Sequence, residues 1–424
     1  MSQEELQRIK VIENTVAGRI TVKEAAEYLQ LSERQIKRLK QAHDEEDVGW
    51  VNHGNRGRTP ANALDAETRQ QVLDLAQGKY AGFNDTHLHE KLTKVEGLKL
   101  SRPSVRRILR EGKLGSPQKR RPPKYRSRRE RREQEGMLLQ LDGSRHDWLE
   151  GRGPHLTLLG FVDDATNQVP AAHFQLESEN SAGYLRLFRS QVENIGIPWA
   201  IYRDQHSTLQ RNDSHWSVAE QLAGHQFPTQ VGRALQELGI EAIVAIVAIV
   251  ARSPQAKGRI ERTWRTFQDR LISELRLTKA ATLEQATAVL SQFLAEYNVR
   301  FAKTATRAGA AYRKLDARLD LNYIFSLRYE RTVGKDHVVT AIPGVTIQLP
   351  ALPNGRGYTG KKVDVCHQPN GDFHVYLNRR LLHMEVASPD AGPVRAHAFR
   401  KSKPPLKKKP VRIYSYAGRP ALDG

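Results

Sequence analysis

The sequence predicts a multidomain protein with all-α modules at its amino-terminal end, a central α/β domain built on a mixed five-stranded sheet, and a small C-terminal β-barrel. Three observations support this order. Apolar residues recur at helical spacing before residue 118, whereas strand-length apolar segments first appear at Met137 and then alternate with helices. Stretches rich in Lys and Arg separate these parts. The length of 424 residues is enough for two to four domains.

The chain is strongly basic, with a formal net charge of +20 and an isoelectric point of about 10. Such a balance favours a polyanionic partner, and nucleic acid is the first candidate. The longest apolar run, Ala242 to Ala251, is far shorter than the ~20 residues of a membrane-spanning helix. The start of the chain is polar and acidic, so we expect no signal peptide. A single cysteine, Cys366, excludes an internal disulfide framework, and we expect a reduced cytoplasmic location.

Residues 1–53 are predicted to form a helix-turn-helix module. Residues 5–18 have helical periodicity, Thr21 and Glu24 match a capping box for a second helix, and Ser32 opens a third helix. One face of the third helix would carry Arg34, Lys37, Arg38 and Gln41. This face suits the major groove of DNA, although a solvated basic helix has the same pattern.

Residues 61–117 are predicted to form a second helix-turn-helix-like module. Asp65 caps its first helix, and Ser101 caps its last. The outer face of that last helix would carry Arg102, Arg106 and Arg110. His87 and His89 lack further metal ligands, so we expect them to be surface histidines.

Basic linkers flank this second module. Arg56 and Arg58 lie between glycines in the first linker, where they suit the minor groove of DNA or an ordinary flexible segment. The second linker is residues 118–135, and nine of residues 118–132 are Lys or Arg. This composition suits contact with DNA phosphates, and a purely solubilising run is the alternative.

The central domain is predicted over residues 136–300. Three strands come first, and the turn at Asp164–Asn167 would join the second and third as a hairpin. The predicted elements are the strands Met137–Asp142, His155–Val162 and Gln168–Phe174, the helix Ser181–Gly196, the strand Trp199–Asp204, the helix Phe227–Leu238, and a fifth strand from Ile240. Three antiparallel strands followed by alternating helices and strands are typical of a ribonuclease-H-like domain, in which the first and fourth strands are neighbours.

Three carboxylates in this domain are candidate metal ligands. Asp142 and Asp204 each end a predicted strand, where ligand sites gather in open α/β sheets. Glu261 lies near the start of a long amphipathic helix, where the alternative role is to stabilise the helix dipole. Clustered carboxylates repel one another unless cations hold them, and their oxygens suit Mg²⁺. Asp163 and Asp164 fall in the hairpin turn, where turn chemistry explains them better than a ligand role.

The segments around these carboxylates resemble bacterial insertion-sequence transposases. They are Leu141-Asp142-Gly143, Phe161-Val162-Asp163-Asp164-Ala165-Thr166, Tyr202-Arg203-Asp204-Gln205-His206-Ser207 and Ser253-Pro254-Gln255-Ala256-Lys257-Gly258-Arg259-Ile260-Glu261-Arg262. The resemblance covers about residues 1–390. The chain looks most like the ISNCY type, which shares the retroviral-integrase catalytic core. It implies that Asp142, Asp204 and Glu261 match the Asp-Asp-Glu metal triad.

The resemblance also implies a function, cofactors and partners. The function is binding of insertion-sequence ends, followed by metal-dependent DNA strand cleavage and strand transfer. The cofactors are two Mg²⁺ ions per active site, with Mn²⁺ as a substitute. The partners are double-stranded DNA at the transposon ends and the target, and further copies of the chain in a homo-oligomer on DNA at the bacterial nucleoid. Beside the metals, the residues expected to grip DNA are Lys257, Arg259, Arg262 and Arg265, although each suits a solvated charge equally well.

Residues 242–250 depart from the family pattern, because they repeat Ala-Ile-Val three times where relatives resemble a single short strand. A duplication of about six residues would lengthen the strand by roughly 20 Å if fully extended. An even insertion preserves which side chains face the core. The expansion keeps open the alternative of a catalytically impaired copy that acts only as a sequence-specific DNA-binding protein. A simple nuclease on the same core is a further alternative.

Residues 330–390 are predicted to form the small β-barrel. Strand alternation appears on both sides of turns at Pro343-Gly344 and at Pro369-Asn370-Gly371-Asp372. We expect this domain to contact DNA or a partner, with a purely structural appendix as the alternative. Residues 391–424 form a basic tail, which is expected to touch phosphates.

Overall fold

The computed structural model describes residues 3–44, 63–115, 122, 129–203, 207–209, 211, 214–244, 258–351, 357–388 and 392–397. The predicted features outside these residues include Arg56, Arg58, Asp204, Lys257 and the Ala-Ile-Val repeat beyond Val244. Residues 118–121 and 123–128 of the basic linker and residues 398–424 of the tail lie outside them too. The chain divides into two compact units, Met1–Gln71 and Val72–Gly424. No described helix combines the length and the apolar character that crossing a membrane requires.

Residues 3–44 of the first unit form the helices α1 (Gln3–Val16), α2 (Val22–Leu29) and α3 (Glu33–Asp44). They pack around a small core of Ile12, Ala25, Ala26 and Ile36. The predicted capping box is confirmed, because the Thr21 side chain accepts from the Glu24 N–H and the Glu24 side chain accepts from the Thr21 N–H. The three helices therefore exist as the periodicity predicts, and their helix-turn-helix role stays a prediction.

Three more helices follow: α4 (Ala66–Gln77), α5 (Asp85–Lys94) and α6 (Arg102–Glu111). Their predicted caps are confirmed. Asp65 Oδ1 accepts from the Thr68 N–H at 2.6 Å, and Ser101 Oγ accepts from the Ser104 N–H at 3.2 Å. The buried apolar residues of α5 and α6 are Leu88, Leu92, Val105, Ile108 and Leu109.

The central sheet has the strand order β3-β2-β1-β4-β5. Its strands are β1 (Leu138–His146), β2 (Leu156–Asp163), β3 (Ala172–Gln175), β4 (Ala200–Arg203) and β5 (Glu241–Val244). The pairs β1–β2 and β2–β3 are antiparallel, whereas β1–β4 and β4–β5 are parallel. This confirms the mixed five-stranded sheet and the predicted neighbourhood of the first and fourth strands.

The end of the first strand differs from the prediction. We expected the first strand to end at Asp142, but β1 continues to His146 because its pairing with β2 runs on to His146 opposite Leu156. The parallel pairing with β4 extends only to Gln140, opposite Tyr202. Asp142 therefore lies within β1, just beyond the point where the described pairing with β4 stops.

Helices cover both faces of the sheet. On one face lie α7 (Ser181–Asn194) and α9 (Gln230–Glu237), and the core beneath them includes Leu139, Leu141, Leu159 and Phe161. The short helix α8 (Val218–Ala223) precedes α9 in the chain. On the other face lie α10 (Gly258–Leu277) and α11 (Leu283–Phe301), packed on Leu158 and Val162. The alternation of strand side chains thus assigns odd-numbered residues of β1 and β2 to the α7 face and even-numbered residues to the α10 face.

Helix α5 docks on α10 and α11 through charged side chains. Arg270 donates to both carboxylate oxygens of Glu90, at 2.9 and 3.0 Å. Glu274 accepts from Lys91 at 2.8 Å and lies 2.7 Å from His87 Nε2. The expectation of a surface histidine is therefore wrong for His87, which is buried here. Burial lowers the pKa of His87, although its hydrogen bond to Glu274 opposes that effect.

After the short helix α12 (Leu321–Ile324), the carboxyl-terminal part forms antiparallel sheets. Its strands are β6 (Leu327–Thr332), β7 (Val338–Ile342), β8 (Val345–Gln348), β9 (Lys362–His367), β10 (Phe373–Leu377) and β11 (Arg380–Glu385). The orders are β11-β10-β9-β6 and β7-β8, so both predicted hairpins are confirmed. A closed barrel is not confirmed, because the described strands form two separate sheets.

Candidate functional site

The α10 face of strand β1 carries a row of polar side chains. Leu139 and Leu141 point into the core under α7, so Gln140, Asp142 and Ser144 share the opposite face. Gln140 is fully buried, whereas Asp142 and Ser144 are half-buried. On the same face, the neighbouring strand β2 packs apolar residues against α10. The polar residues of β1 depart from that packing and mark a candidate functional surface.

Two hydrogen bonds connect this row to helix α10. Gln140 Oε1 accepts from the Ile260 N–H at 3.2 Å, and Gln268 Nε2 donates to Ser144 Oγ at 3.3 Å. The two helix contacts are eight positions apart, which is about 12 Å along a helix, and the two strand contacts are four positions apart, which is about 13 Å along a strand. Because these lengths match, α10 runs alongside β1, and Asp142 lies between the two contacts.

A glycine opposite Asp142 lets the helix approach the sheet. Gly160 of β2 is the cross-strand partner of Asp142. A Cβ added at Gly160 would lie 2.8 Å from Cη2 of Trp264, so the indole occupies the space that a side chain would need. Trp264 follows Glu261 by three residues, and residues at this spacing are neighbours on a helix surface. Asp142 on β1 and Glu261 on α10 are therefore brought to facing elements.

Glu261 lies in the first turn of α10 and is exposed. Asp204, the third predicted ligand, follows the last residue of β4 and lies outside the described residues. Within the described ranges, no group of three or more His, Cys, Asp or Glu side chains could hold a metal ion. Those ranges contain only two members of the predicted triad.

The neighbouring acids Asp163 and Asp164 are both buried and both bound by the protein itself. Asp163 accepts from the Gly136 N–H at 2.8 Å and from the N–H and hydroxyl of Thr166 at 2.7 and 2.9 Å. These bonds fit the turn chemistry predicted for it. Asp164 instead pairs with the guanidinium groups of Arg129 and Arg259.

The two acids have opposite electrostatic environments. Burial raises the pKa of Asp163, although N–H donors of Gly136 and Thr166 oppose it. Burial alone would also raise the pKa of Asp164, but the Arg132 N–H and the Arg129 and Arg259 guanidiniums outweigh burial and lower it. Asp164 is therefore held as a carboxylate by fixed cations.

The predicted DNA contacts fall into exposed and bound groups. The exposed ones are Arg34, Lys37, Arg38 and Gln41 on α3, Arg102 and Arg106 on α6, and Arg262 and Arg265 on α10. Arg110 is half-buried and donates to Asp85 Oδ2 at 2.5 Å. Arg259 is buried against Asp164 and donates to the Arg129 carbonyl oxygen at 2.6 Å. An internal ion pair explains Arg259 better than a DNA contact does.

Sequence reasoning missed Gln140 and Trp264 as parts of this site. The signal for Gln140 was a lone polar residue inside the apolar strand Leu138–Leu141. The signal for Trp264 was the combination of a bulky residue in the apolar stripe of α10 and a glycine in the apolar strand β2. Neither signal names the partner without the register of the sheet.

The chain is similar to proteins named as transposases. It is 35% identical to a protein of Sinorhizobium fredii that is named as the transposase y4bF, over 90% of this chain and 79% of that protein. The chain belongs to the transposase family. It is also 29% identical to the transposase for insertion sequence IS1202 of Streptococcus pneumoniae, over 78% of this chain and 76% of the relative. No protein-family model matches the chain.

Among solved structures, one similar chain is from the simian T-cell lymphotropic virus intasome in complex with the PP2A regulatory subunit B56 gamma. It is 13% identical, with a TM-score of 0.30, over 76% of this chain and all of that chain. Another is the catalytic core domain of BIV integrase, at 17% identity and a TM-score of 0.26, over 42% of this chain and 90% of that chain. At these TM-scores, neither likeness establishes a shared fold.

Proposed function

We propose that this member of the transposase family is an enzyme that binds the ends of an insertion sequence and catalyses metal-dependent DNA strand cleavage and strand transfer. The observation that carries the proposal is the juxtaposition of β1 and α10. Asp142 and Glu261, two of the three acids in the predicted triad, lie on this strand and on the helix that packs against it.

The proposed metal ligands are Asp142, Asp204 and Glu261. The pairing of Gln140 with Tyr202 supports Asp204, because Asp204 follows Tyr202 by the same two residues by which Asp142 follows Gln140. Asp163 and Asp164 are poor candidates, since donors and cations of the protein already bind their oxygens. Carboxylate oxygens are the ligands that Mg²⁺ prefers, so the residue types fit two Mg²⁺ ions, with Mn²⁺ as a substitute.

Bound Mg²⁺ would activate water, and later a DNA 3′-hydroxyl, as the nucleophile and would stabilise the leaving oxygen. The chain supplies the position of the ligands and the contacts to DNA. Arg262 and Arg265 are exposed on the same helix as Glu261, where they suit DNA phosphates. The exposed residues of α3 and α6 would recognise the ends. Because two ends are joined, we propose a homo-oligomer on DNA.

The test is nicking of a supercoiled plasmid in Mg²⁺ or Mn²⁺. We expect wild-type protein to nick, and we expect Asp142→Asn, Asp204→Asn and Glu261→Gln each to lose at least about 100-fold in rate, because each removes one metal ligand. Nicking that survives all three substitutions would contradict the triad. Wild-type protein that binds DNA but never nicks would favour the catalytically impaired copy.

Glu284→Gln is a matched control for Glu261→Gln. Both acids are exposed and lie in the first turn of a helix, Glu261 in α10 and Glu284 in α11. A helix-dipole role predicts small and similar effects of the two substitutions on stability. A ligand role predicts that only Glu261→Gln abolishes nicking. Equal activity in the two variants would therefore assign Glu261 to the helix alone.

A further inference from the structure

We propose that Gln140 and Asp164 are positioning residues that hold the first turn of α10, and with it Glu261, against strand β1. The inference rests on the function proposed above, because positioning Glu261 matters only if its carboxylate takes part in the reaction. Neither residue is proposed to touch a metal ion or DNA.

Gln140 connects the strand to the helix and to Asp164 at once. It is fully buried, its Oε1 accepts from the Ile260 N–H at 3.2 Å, and its Nε2 donates to Asp164 Oδ1 at 2.8 Å. The first four N–H groups of a helix have no acceptor within the helix, so an external acceptor fixes where the first turn lies. Ile260 is adjacent to Glu261, and Gln140 lies two residues before Asp142.

Asp164 joins three segments of the chain that are far apart in sequence. Its carboxylate binds Arg259 of α10, Arg129 of the basic linker and Gln140 of β1. It also accepts from the Arg132 N–H at 2.9 Å. Because the side chain is wholly buried, these partners replace water entirely. One carboxylate thus anchors the first turn of α10 and the end of the basic linker to the sheet.

The basic linker contacts both the first turn of α10 and the segment that carries Asp164. Arg259 donates to the carbonyl oxygen of Arg129 at 2.6 Å, and Arg131 donates to the carbonyl oxygens of Asp164 and Ala165 at 2.8 and 3.1 Å. The basic segment therefore enters the central domain directly beneath the first turn of α10. Supporting contacts of this kind around a ligand typically change metal affinity by about 10–100-fold when removed.

Asp163 offers a matched control. It is adjacent to Asp164 and equally buried, but its bonds go to Gly136 and Thr166 and none of them reaches α10. Asp163→Asn therefore perturbs the same hairpin without releasing the helix. Gln140→Met keeps the length of the side chain and removes both of its hydrogen bonds, so it serves if Asp164→Asn fails to fold.

The experiment uses the full chain and two readouts. Hydrogen–deuterium exchange without metal reports whether the first turn is held, and plasmid nicking titrated with Mn²⁺ reports whether Glu261 is positioned. We expect Gln140→Met and Asp164→Asn to speed exchange at residues 258–262 by about tenfold, with α11 unchanged, because an anchoring hydrogen bond is lost. We expect both to raise the Mn²⁺ concentration for half-maximal nicking by about tenfold. Asp163→Asn should change neither quantity.

The outcomes separate this inference from the function. Unchanged exchange at residues 258–262 in both variants would overturn it, whatever the activity. Faster exchange with an unchanged Mn²⁺ requirement would also overturn it, because Gln140 and Asp164 would then hold the helix without positioning a ligand. If wild-type protein does not nick, the proposed function fails, and the exchange data alone still decide whether these residues hold the turn.

Discussion

Replacing Gly160 with alanine would test the contact that brings α10 close to β1. The new Cβ would lie 2.8 Å from Trp264 Cη2, 3.0 Å from Ala172 Cβ and 3.2 Å from the Ala171 carbonyl oxygen. The indole is buried, and the other two neighbours are a short side chain and a backbone oxygen. The helix and the sheet must therefore separate to accept the methyl group.

The size of the effect follows from this geometry. Carbon atoms in contact are normally about 3.5–4.0 Å apart, so Trp264 has to retreat by about 1 Å. Overpacking of this kind costs about 1–3 kcal/mol, and we expect a loss of about 2 kcal/mol in the free energy of unfolding. Glu261 is on the same helix. A misplacement of about 1 Å in an active site can slow a reaction about 100-fold, so nicking should fall as well.

The assay is urea unfolding of the full chain, followed by circular dichroism, with the nicking rate measured in parallel. Trp264→Phe removes the clashing atom and an indole N–H that has no partner among the described residues. In the double variant we expect the two costs to fall short of their sum by about 1 kcal/mol or more. Additive costs would refute the proposed contact. Gly115→Ala, with open space at its Cβ, should have little effect.

Three further predictions concern other parts of the chain. Burial lowers the pKa of His367 from 6.5 to about 4, so the folded protein binds fewer protons than the unfolded chain between these two values. The contribution of His367 to the free energy of unfolding is therefore fully present above pH 6.5 and is lost as the pH falls toward 4. The loss at pH 5 is about 2 kcal/mol, and His367→Phe should remove it in urea unfolding compared at pH 7 and pH 5. Glu90→Gln should cost about 3 kcal/mol in the same assay at pH 7, because Arg270 stays buried without its carboxylate. Arg106→Gln should lower the salt slope of DNA binding by about 1 without loss of stability, whereas Arg110→Gln should lower stability; equal behaviour of the two would contradict this assignment.

Much of the fold was predictable because local patterns determine it. Short apolar segments predicted all five central strands, and capping residues such as Thr21 and Ser101 predicted where helices begin. The extension of β1 to His146 was not predictable, because Gly143, Ser144 and Arg145 are not typical strand residues. Pairing with β2 overrides their weak preference, and only the tertiary structure contains that pairing.

The docking of α5 on α10 lay beyond sequence reasoning for a different reason. Each helix has an ordinary amphipathic pattern, and the charged residues Glu90 and Arg270 suit a solvated face equally well. Their partnership joins positions 180 residues apart. Nothing in either segment specifies the other. For the same reason His87, buried against Glu274, looked like a surface histidine.

The positions of Asp163 and Asp164 show what can be predicted from strand parity, the alternation of odd- and even-numbered side chains between the two faces of a strand. Side chains alternate along β2, so Asp163 continues the face of Leu159 and Phe161, and Asp164 continues the face of Gly160 and Val162. Parity therefore places Asp164 on the α10 side, where Asp142 also lies. Turn chemistry accounts for Asp163 and is insufficient for Asp164, whose carboxylate meets two guanidiniums instead. Parity identifies the face on which an acid lies, and the charges already present on that face decide whether it can bind a cation. Asp142 and Asp164 share the face, and the two guanidiniums on the Asp164 carboxylate are the reason why Asp164 is a poor candidate ligand.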